Sequence, residues 1–164
     1  MSKIEDTEID ERKIVTFTLG SQMFGIDMRA LIEIREWEEP TPLPSVPSYV
    51  KGVTNLRGSV VPVVGLSERL GWAPSVLHSR SCILVVAIGG RQAGFLVDEV
   101  ADIVVIQGSE IQPAPDVEVN EQSAIAGLVK IERRTSDSAS AETMVLLLDL
   151  DALSLTRHIM DLAA

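Results

Sequence analysis

The chain aligns with itself. Offset by 69 residues, Leu19 falls on Ile88, Gly20 on Gly89, Gly25 on Gly94, Ile26 on Phe95, Leu31 on Val100, Glu33 on Asp102 and Ile34 on Ile103. Further on, Gly52 meets Gly127 at an offset of 75 and Leu66 meets Leu150 at 84. The growth in the later offset falls where the polar, Ser-rich stretch Glu132–Glu142 lies, so one copy has a longer hairpin there. A chain built from two copies of one unit has few ways to fold: each copy must bury its apolar face, and the other copy is the nearest cover.

Each unit reads as β-structure. Val15, Phe17 and Leu19 alternate with Thr16 and Thr18, which is the period of a half-buried strand. Gly20-Ser21 suits a tight hairpin turn, and Phe24, Ile26 and Met28 form the return. Ile32 and Ile34 then alternate with Glu33, Arg35 and Trp37 in a third strand. Pro40, Pro42, Pro44 and Pro47 impose an extended connection. Strands Val50–Leu56 and Val60–Val64 follow, joined at Arg57-Gly58-Ser59, with Pro62 marking an edge or a bulge. Leu66 and Leu70, closed by Gly71, make one helical turn. The second unit repeats this order, with a turn at Gly89-Gly90, a connection at Pro113 and Pro115, and a mobile loop at Glu132–Glu142. Asp149 or Asp151 caps a last helix carrying Leu153, Ile159 and Leu162. Five short antiparallel strands per unit close most easily into a small barrel. The expected fold is therefore mainly β: two five-stranded barrels packed together, with short helical turns and a C-terminal helix. The expected bounds are a flexible tail over 1–12, a first barrel over about 14–71, a second over about 80–150, strand sharing between them being allowed, and the helix over 151–164.

Composition narrows the function. A net charge of −10 disfavours nucleic acids and anionic membranes, which are bound through Lys and Arg. One cysteine, Cys82, permits no internal disulfide and fits a reducing cytosol. The first twelve residues lack the apolar stretch of a signal peptide, and no apolar run approaches a membrane span. His78 and His158 lie outside the patterned strands and read as structural or surface groups. No His or Cys pair has metal-ligand spacing, Gly89-Gly90 lacks the context of a phosphate loop, and Asp98 and Glu99, as strand neighbours, point to opposite faces. No cofactor, metal site or catalytic group is expected, and an enzyme ranks last among the readings.

Two features carry more information. Glu33, Arg35 and Trp37 share one strand face opposite Ile32 and Ile34, where Trp37 is either an outward interface anchor or folded back on the barrel. In Gly52-Val-Thr-Asn-Leu-Arg57-Gly58, Gly52 allows a bulge or close backbone approach and Arg57 sits at a hairpin tip. Glu33 is the natural carboxylate for Arg57 to pair with.

These residues resemble the CheW family of chemotaxis coupling proteins. The resemblance covers about Lys13 to Leu155 and rests on Phe17-Thr-Leu-Gly20, Phe24-Gly25-Ile26-Asp27, Ile32-Glu33-Ile34-Arg35, Val50-Lys-Gly52-Val-Thr-Asn-Leu-Arg57-Gly58 and Val61-Pro62-Val63. In the second unit it rests on Gly94-Phe95-Leu96-Val97-Asp98, Ile111-Gln112-Pro113-Ala114-Pro115 and Leu147-Leu148-Asp149. It implies Src-homology-like barrels and a non-enzymatic adaptor, cytoplasmic and recruited to membrane-associated receptor arrays. The implied partners are the cytoplasmic tip of methyl-accepting chemoreceptors and the regulatory domain of a CheA-type histidine kinase. By the resemblance, Leu31, Glu33, Gly52, Asn55 and Arg57 bind the receptor in a groove between barrels, and Gly94, Val97, Asp98 and Ile103 on the second barrel bind the kinase. The family pattern has Asp and then a basic residue where this chain reads Val64-Gly65-Leu66-Ser67. That departure, Trp37 and the acids Glu38-Glu39 point to an accessory or pilus-motility pathway as the alternative. A detached regulatory domain of the kinase is a rival on the same fold, and a small-ligand-binding barrel is the rival of another class.

Overall fold

The computed structural model describes residues 10–113, 124–134 and 140–153. Ten strands form two five-stranded sheets: β1 Glu11–Leu19, β2 Gln22–Asp27, β3 Leu31–Glu36, β4 Val50–Leu56, β5 Ser59–Gly65, β6 Cys82–Ile88, β7 Arg91–Val97, β8 Glu99–Gln107, β9 Ile125–Arg134 and β10 Ser140–Leu148. Helical turns at Leu66–Arg69 and Leu150–Leu153 follow β5 and β10. The second is capped by the Asp149 carboxylate, which accepts from the backbone N–H groups of Asp151 and Ala152. The fold is the mainly β, double-barrel architecture that the alternation foretold.

The two sheets do not divide the chain at its midpoint. One has the order β8-β1-β2-β10-β9 and the other β3-β6-β7-β5-β4. Each therefore takes two strands from one repeat and three from the other. The expected bounds of about 14–71 and 80–150 are corrected accordingly: one barrel is 11–27 with 99–148, and the other is the continuous stretch 31–97. The expected sharing of strands is here a full exchange. Advancing every strand of the second sheet by five places round the chain reproduces the first, so the repeat is present in both, crossed over.

Fine detail follows the repeat. An extra residue, Ile32, bulges from β3 against β6, and its counterpart Ala101 bulges from β8 against β1. Lys51 bulges from β4 and its counterpart Ala126 from β9. The isolated bridge Thr41–Val53 is matched by Gln112–Leu128. The Gly65 N–H to Tyr49 carbonyl bond of 2.7 Å is matched by Asp149 N–H to Ala124 at 2.7 Å. In one copy only, a side chain enters the ladder: the Thr16 hydroxyl donates to the Asp102 carbonyl at 2.9 Å and accepts its N–H at 3.0 Å, across the β1–β8 bulge.

Three cores result. Val15, Phe17, Phe24, Leu84, Val86, Phe95 and Val97 belong to a large core between the sheets. Ile14, Met23, Ile106, Val129, Val145 and Leu147 fill the first barrel, and Leu56, Val61, Val63, Ile83 and Val85 fill the second. A central strand such as β6 sends Ile83 and Val85 inward and Leu84 and Val86 to the shared core, so both its faces are dry. That is why Cys82–Ile88 reads as an unbroken apolar run. The Cys82 thiol is buried there, and burial pushes its pKa up, away from reactivity.

Four local expectations are corrected. Glu11 and Arg12 belong to β1 rather than to a tail. Pro62 lies in an interior strand, at a position before β5 meets β7, where a missing N–H loses no bond to that neighbour. Glu132–Arg134 and Ser140–Glu142 extend β9 and β10 instead of forming a loop. The third strand is turned over: Ile32 and Ile34 are 40% and 46% exposed, while Trp37 packs on the inner core of the second barrel. Of the C-terminal helix, 154–164 lies outside the described residues, with His158, Ile159 and Leu162; so do Pro115 and residues 135–139.

Candidate partner-binding site

The expected receptor set assembles on the barrel of residues 31–97, and its geometry starts from one turn. Arg57 and Gly58 link β4 to β5 with φ of 52° and 86°, a two-residue hairpin in which both residues are left-handed. Glycine takes that conformation freely, whereas arginine does so at a cost of about 1–2 kcal/mol. The turn is braced by Asn55, whose Oδ1 accepts the Gly58 N–H at 2.9 Å. From the tip, Arg57 Nη1 reaches Glu33 Oε1 at 2.7 Å, the pair suggested by the sequence. Arg35 Nη1 donates to the other oxygen, Oε2, at 2.9 Å. One carboxylate thus sits between two guanidiniums. The hydrogen bond from Arg35 and the charge of Arg57 hold the Glu33 carboxyl below the usual carboxylate range.

The rim is graded in exposure. The Glu33 side chain is 18% exposed, Arg35 39% and Arg57 75%, so the outermost guanidinium is free to meet another molecule while its charge stays partnered. Arg35 belongs to the site although only its strand face was noted from the sequence; the i to i+2 spacing on β3 places it beside Glu33. Gly52 is buried beneath the rim at φ 146°, and a Cβ there would run into the carbonyl of Thr41. It lets the Pro-rich segment pass against β4, where Thr41 and Val53 exchange backbone bonds of 2.9 and 2.8 Å. Leu31 opens β3 and packs on the shared core. Of the five residues, Glu33, Asn55 and Arg57 face outward or line the rim, and Leu31 and Gly52 support them.

The expected kinase set is divided by the strand exchange. Gly94 and Val97 are on β7, in the same barrel as Arg57, and both are interior: a Cβ on Gly94 would stand 2.7 Å from Ile83 Cγ2, and Val97 has no exposed surface. Asp98 lies between β7 and β8 and its Oδ2 accepts the Gly20 N–H at 2.6 Å, tying the β1–β2 turn to this corner. Ile103 is on β8, in the other barrel, and is 50% exposed. A surface there consists of Ile103 with Val105, 51% exposed, which the sequence reading had not singled out. Of the four edge strands, β3 and β8 carry such an apolar pair, and the repeat places Ile34 and Ile103 at matching positions.

The departure at Gly65 and Ser67 has a structural counterpart. Lys51 pairs with Glu68 across Gly65, and a Cβ at 65 would stand 2.7 Å from Glu68 Oε1 and 2.9 Å from Lys51 Cε. Ser67 is buried, its hydroxyl donating to the Ala73 carbonyl at 2.6 Å. At this segment the chain carries a largely shielded ion pair, the Lys51 and Glu68 side chains being 28% and 12% exposed. Inside the same barrel, the space lined by Arg35, Leu56, Val61, Ile83 and Val85 is about 10 Å³, room for about one water. An open cleft of about 310 Å³ lies on the other barrel, over Ile14, Ile106 and Leu147.

Comparison with known proteins agrees with this architecture. Residues 13–157 match the model of the CheW-like domain. The chain is 39% identical over 142 residues to a chemotaxis protein CheW of Rhizobium meliloti, covering 86% of each chain. It is 34% identical over 144 residues to a probable chemotaxis protein CheW of Rhizobium etli, covering 87% of each. The crystal structure of the scaffolding protein TtCheW from Thermoanaerobacter tengcongensis superimposes with a TM-score of 0.74 at 30% identity, over 87% of this chain and 91% of that one. With the double barrel, the Asn55-Leu-Arg57-Gly58 hairpin and these matches together, the chain belongs to the CheW-like family.

Proposed function

We propose that this chain is a non-enzymatic scaffold that couples the cytoplasmic tip of chemoreceptors to the regulatory domain of a CheA-type histidine kinase, at membrane-associated receptor arrays. The observation that carries the reading is Arg57: a non-glycine residue held left-handed at a hairpin tip, three-quarters exposed, and anchored on Glu33. A backbone cost of that kind persists where a side chain is needed in one place. Glu33, Asn55 and Arg57 form the receptor rim, with Ile32 and Ile34 beside it supplying apolar contact. A helical receptor tip laid there gains affinity from the isoleucines and orientation from the charges. Ile103 and Val105 on β8 form the kinase face, Asp98 lies at the corner before that strand against the β1–β2 turn, and Gly94 and Val97 shape β7 from within. Among the described residues no helix is long and apolar enough to cross a membrane.

Calorimetric titration with the regulatory domain of a CheA-type kinase, and separately with a receptor-tip peptide hairpin, tests the reading. Saturable one-to-one binding of each is expected, with Ile103→Glu abolishing only the first and Arg57→Ala weakening only the second. Absence of binding to both partners leaves the fold and removes the function. A thermal-shift screen of small metabolites would then decide whether the 310 Å³ cleft holds a ligand instead.

A further inference from the structure

We propose that two copies of this chain can exchange halves, giving an intertwined dimer whose hinge is the connection of residues 71–80. Strand order carries the inference. Within the first half the strand pairs are β1–β2 and β4–β5; within the second they are β6–β7 and β9–β10. The other four pairings, β1–β8, β2–β10, β3–β6 and β5–β7, all join one half to the other. The shared core does the same, taking Val15, Phe17 and Phe24 from the first half and Leu84, Val86 and Phe95 from the second. A half by itself holds two hairpins and a lone strand with uncovered apolar faces, and an isolated hairpin is marginal in water. Each half is stable against a complementary half, and none of these contacts distinguishes a half on the same chain from one on a second chain.

The connection alone makes that distinction, and its two ends are anchored while its middle is not. At the start, Trp72 N–H bonds Ser67 at 2.9 Å, the Trp72 ring packs on Phe24, and the Ala73 carbonyl accepts from the Ser67 hydroxyl at 2.6 Å. At the end, Ser81 N–H bonds His78 at 3.0 Å and Arg80 pairs with Glu99 at 3.2 Å. Among the described residues, no hydrogen bond holds Pro74, Ser75, Val76 or Leu77. Val76 is 81% exposed and Leu77 48%. Straightening this stretch breaks no strand pairing, which is the condition under which exchange of identical elements between chains is a low-cost route to a dimer. Glu33 and Arg57 lie wholly in the first half, and Asp98 and Ile103 wholly in the second, so each lobe of the dimer holds one complete rim and one complete β8 face. If those are the faces proposed above, the dimer is a bivalent coupler; the exchange itself does not depend on that reading.

The test removes Pro74–Leu77 from the full-length chain. Light scattering after size exclusion is expected to show a dimer with the β-sheet circular dichroism of the parent. Tagged and untagged dimers, mixed under native conditions, are expected not to trade subunits over hours. A shortened chain that stays folded and monomeric overturns the proposal, as do dimers that trade subunits freely, since those meet only at their surfaces. If the shortened chain aggregates, the parent decides: tagged and untagged chains are unfolded together in guanidinium and refolded at rising concentration. Dimers carrying one tagged and one untagged chain, increasing with concentration and stable to dilution, support the exchange; monomers alone at every concentration overturn it.

Discussion

Arg57 separates the requirements of stability from those of binding. Its left-handed backbone is one that glycine adopts without strain, so Arg57→Gly is expected to leave the melting temperature unchanged or raise stability by up to about 1 kcal/mol. The same change removes the guanidinium and should weaken receptor-tip binding at least tenfold, so on one variant the titration would weaken while the thermal melt holds or rises. Gly52 is the reverse case: Gly52→Ala drives a methyl into the Thr41 carbonyl and should cost more than about 2 kcal/mol in a chemical denaturation. The carboxyl of Glu33 gives a pH dependence of known sign. Its pKa is lowered in the folded chain by the hydrogen bond from Arg35 and the charge of Arg57, so its contribution is present above the unfolded-state value and is lost as pH falls through the folded value. Wild type is thus expected to melt above Glu33→Gln at neutral pH, with the gap closing on acidification; a gap that widens in acid would contradict the ion pair. The Glu33–Arg57 pair was legible because an Arg beside a hairpin glycine has few places to go. The Arg35 contact was not, because residues i and i+2 show only a shared face until the edge strand's neighbours are known.

At the scale of elements, alternation found the strands and misjudged a face. In β3 the rule that apolar residues point inward put Ile32 and Ile34 inside, yet this is an edge strand whose inner side carries Arg35, lining the barrel's small cavity, with Trp37 just past its end packed on the barrel core. One sequence carries no mark of which strand is an edge, and the bulge at Ile32 adds a shift that periodicity does not display. The exposed pairs make a clean prediction. Ile34→Lys and Ile103→Lys should each change stability by less than about 0.5 kcal/mol, since half of each side chain is already in water, while the second abolishes kinase binding. In the segment after β5, the Lys51–Glu68 pair occupies the space that a side chain at 65 would need. Gly65→Asp alone should therefore be destabilising and should be rescued by adding Glu68→Ala, a coupling that a double-mutant cycle on melting data would report.

At the scale of the whole molecule, the repeat predicted two like barrels and allowed them to share strands, but did not say which strands are exchanged. A self-alignment compares residues within a unit; which copy a strand pairs with depends on the core between the sheets, to which both contribute. Because Phe17, Phe24, Leu84 and Phe95 meet in that core, the barrels are expected to melt in one transition, with hydrogen exchange in β2 and β7 following the same global unfolding. Phe17→Ala, at 0% exposure, should remove about 3–5 kcal/mol and lower protection in both barrels alike. The crossed strand order also sets a timetable for the growing polypeptide. The barrel of residues 31–97 is complete once β7 has left the ribosome, but β1 and β2, made first, await partners made last. The Gln22 side chain bonds the carbonyl of Met144, 122 residues downstream. At roughly 5–20 residues per second, the β2 edge of that first hairpin stays unclaimed for roughly 6–24 seconds until β10 arrives, while β8, made sooner, has already covered the β1 edge.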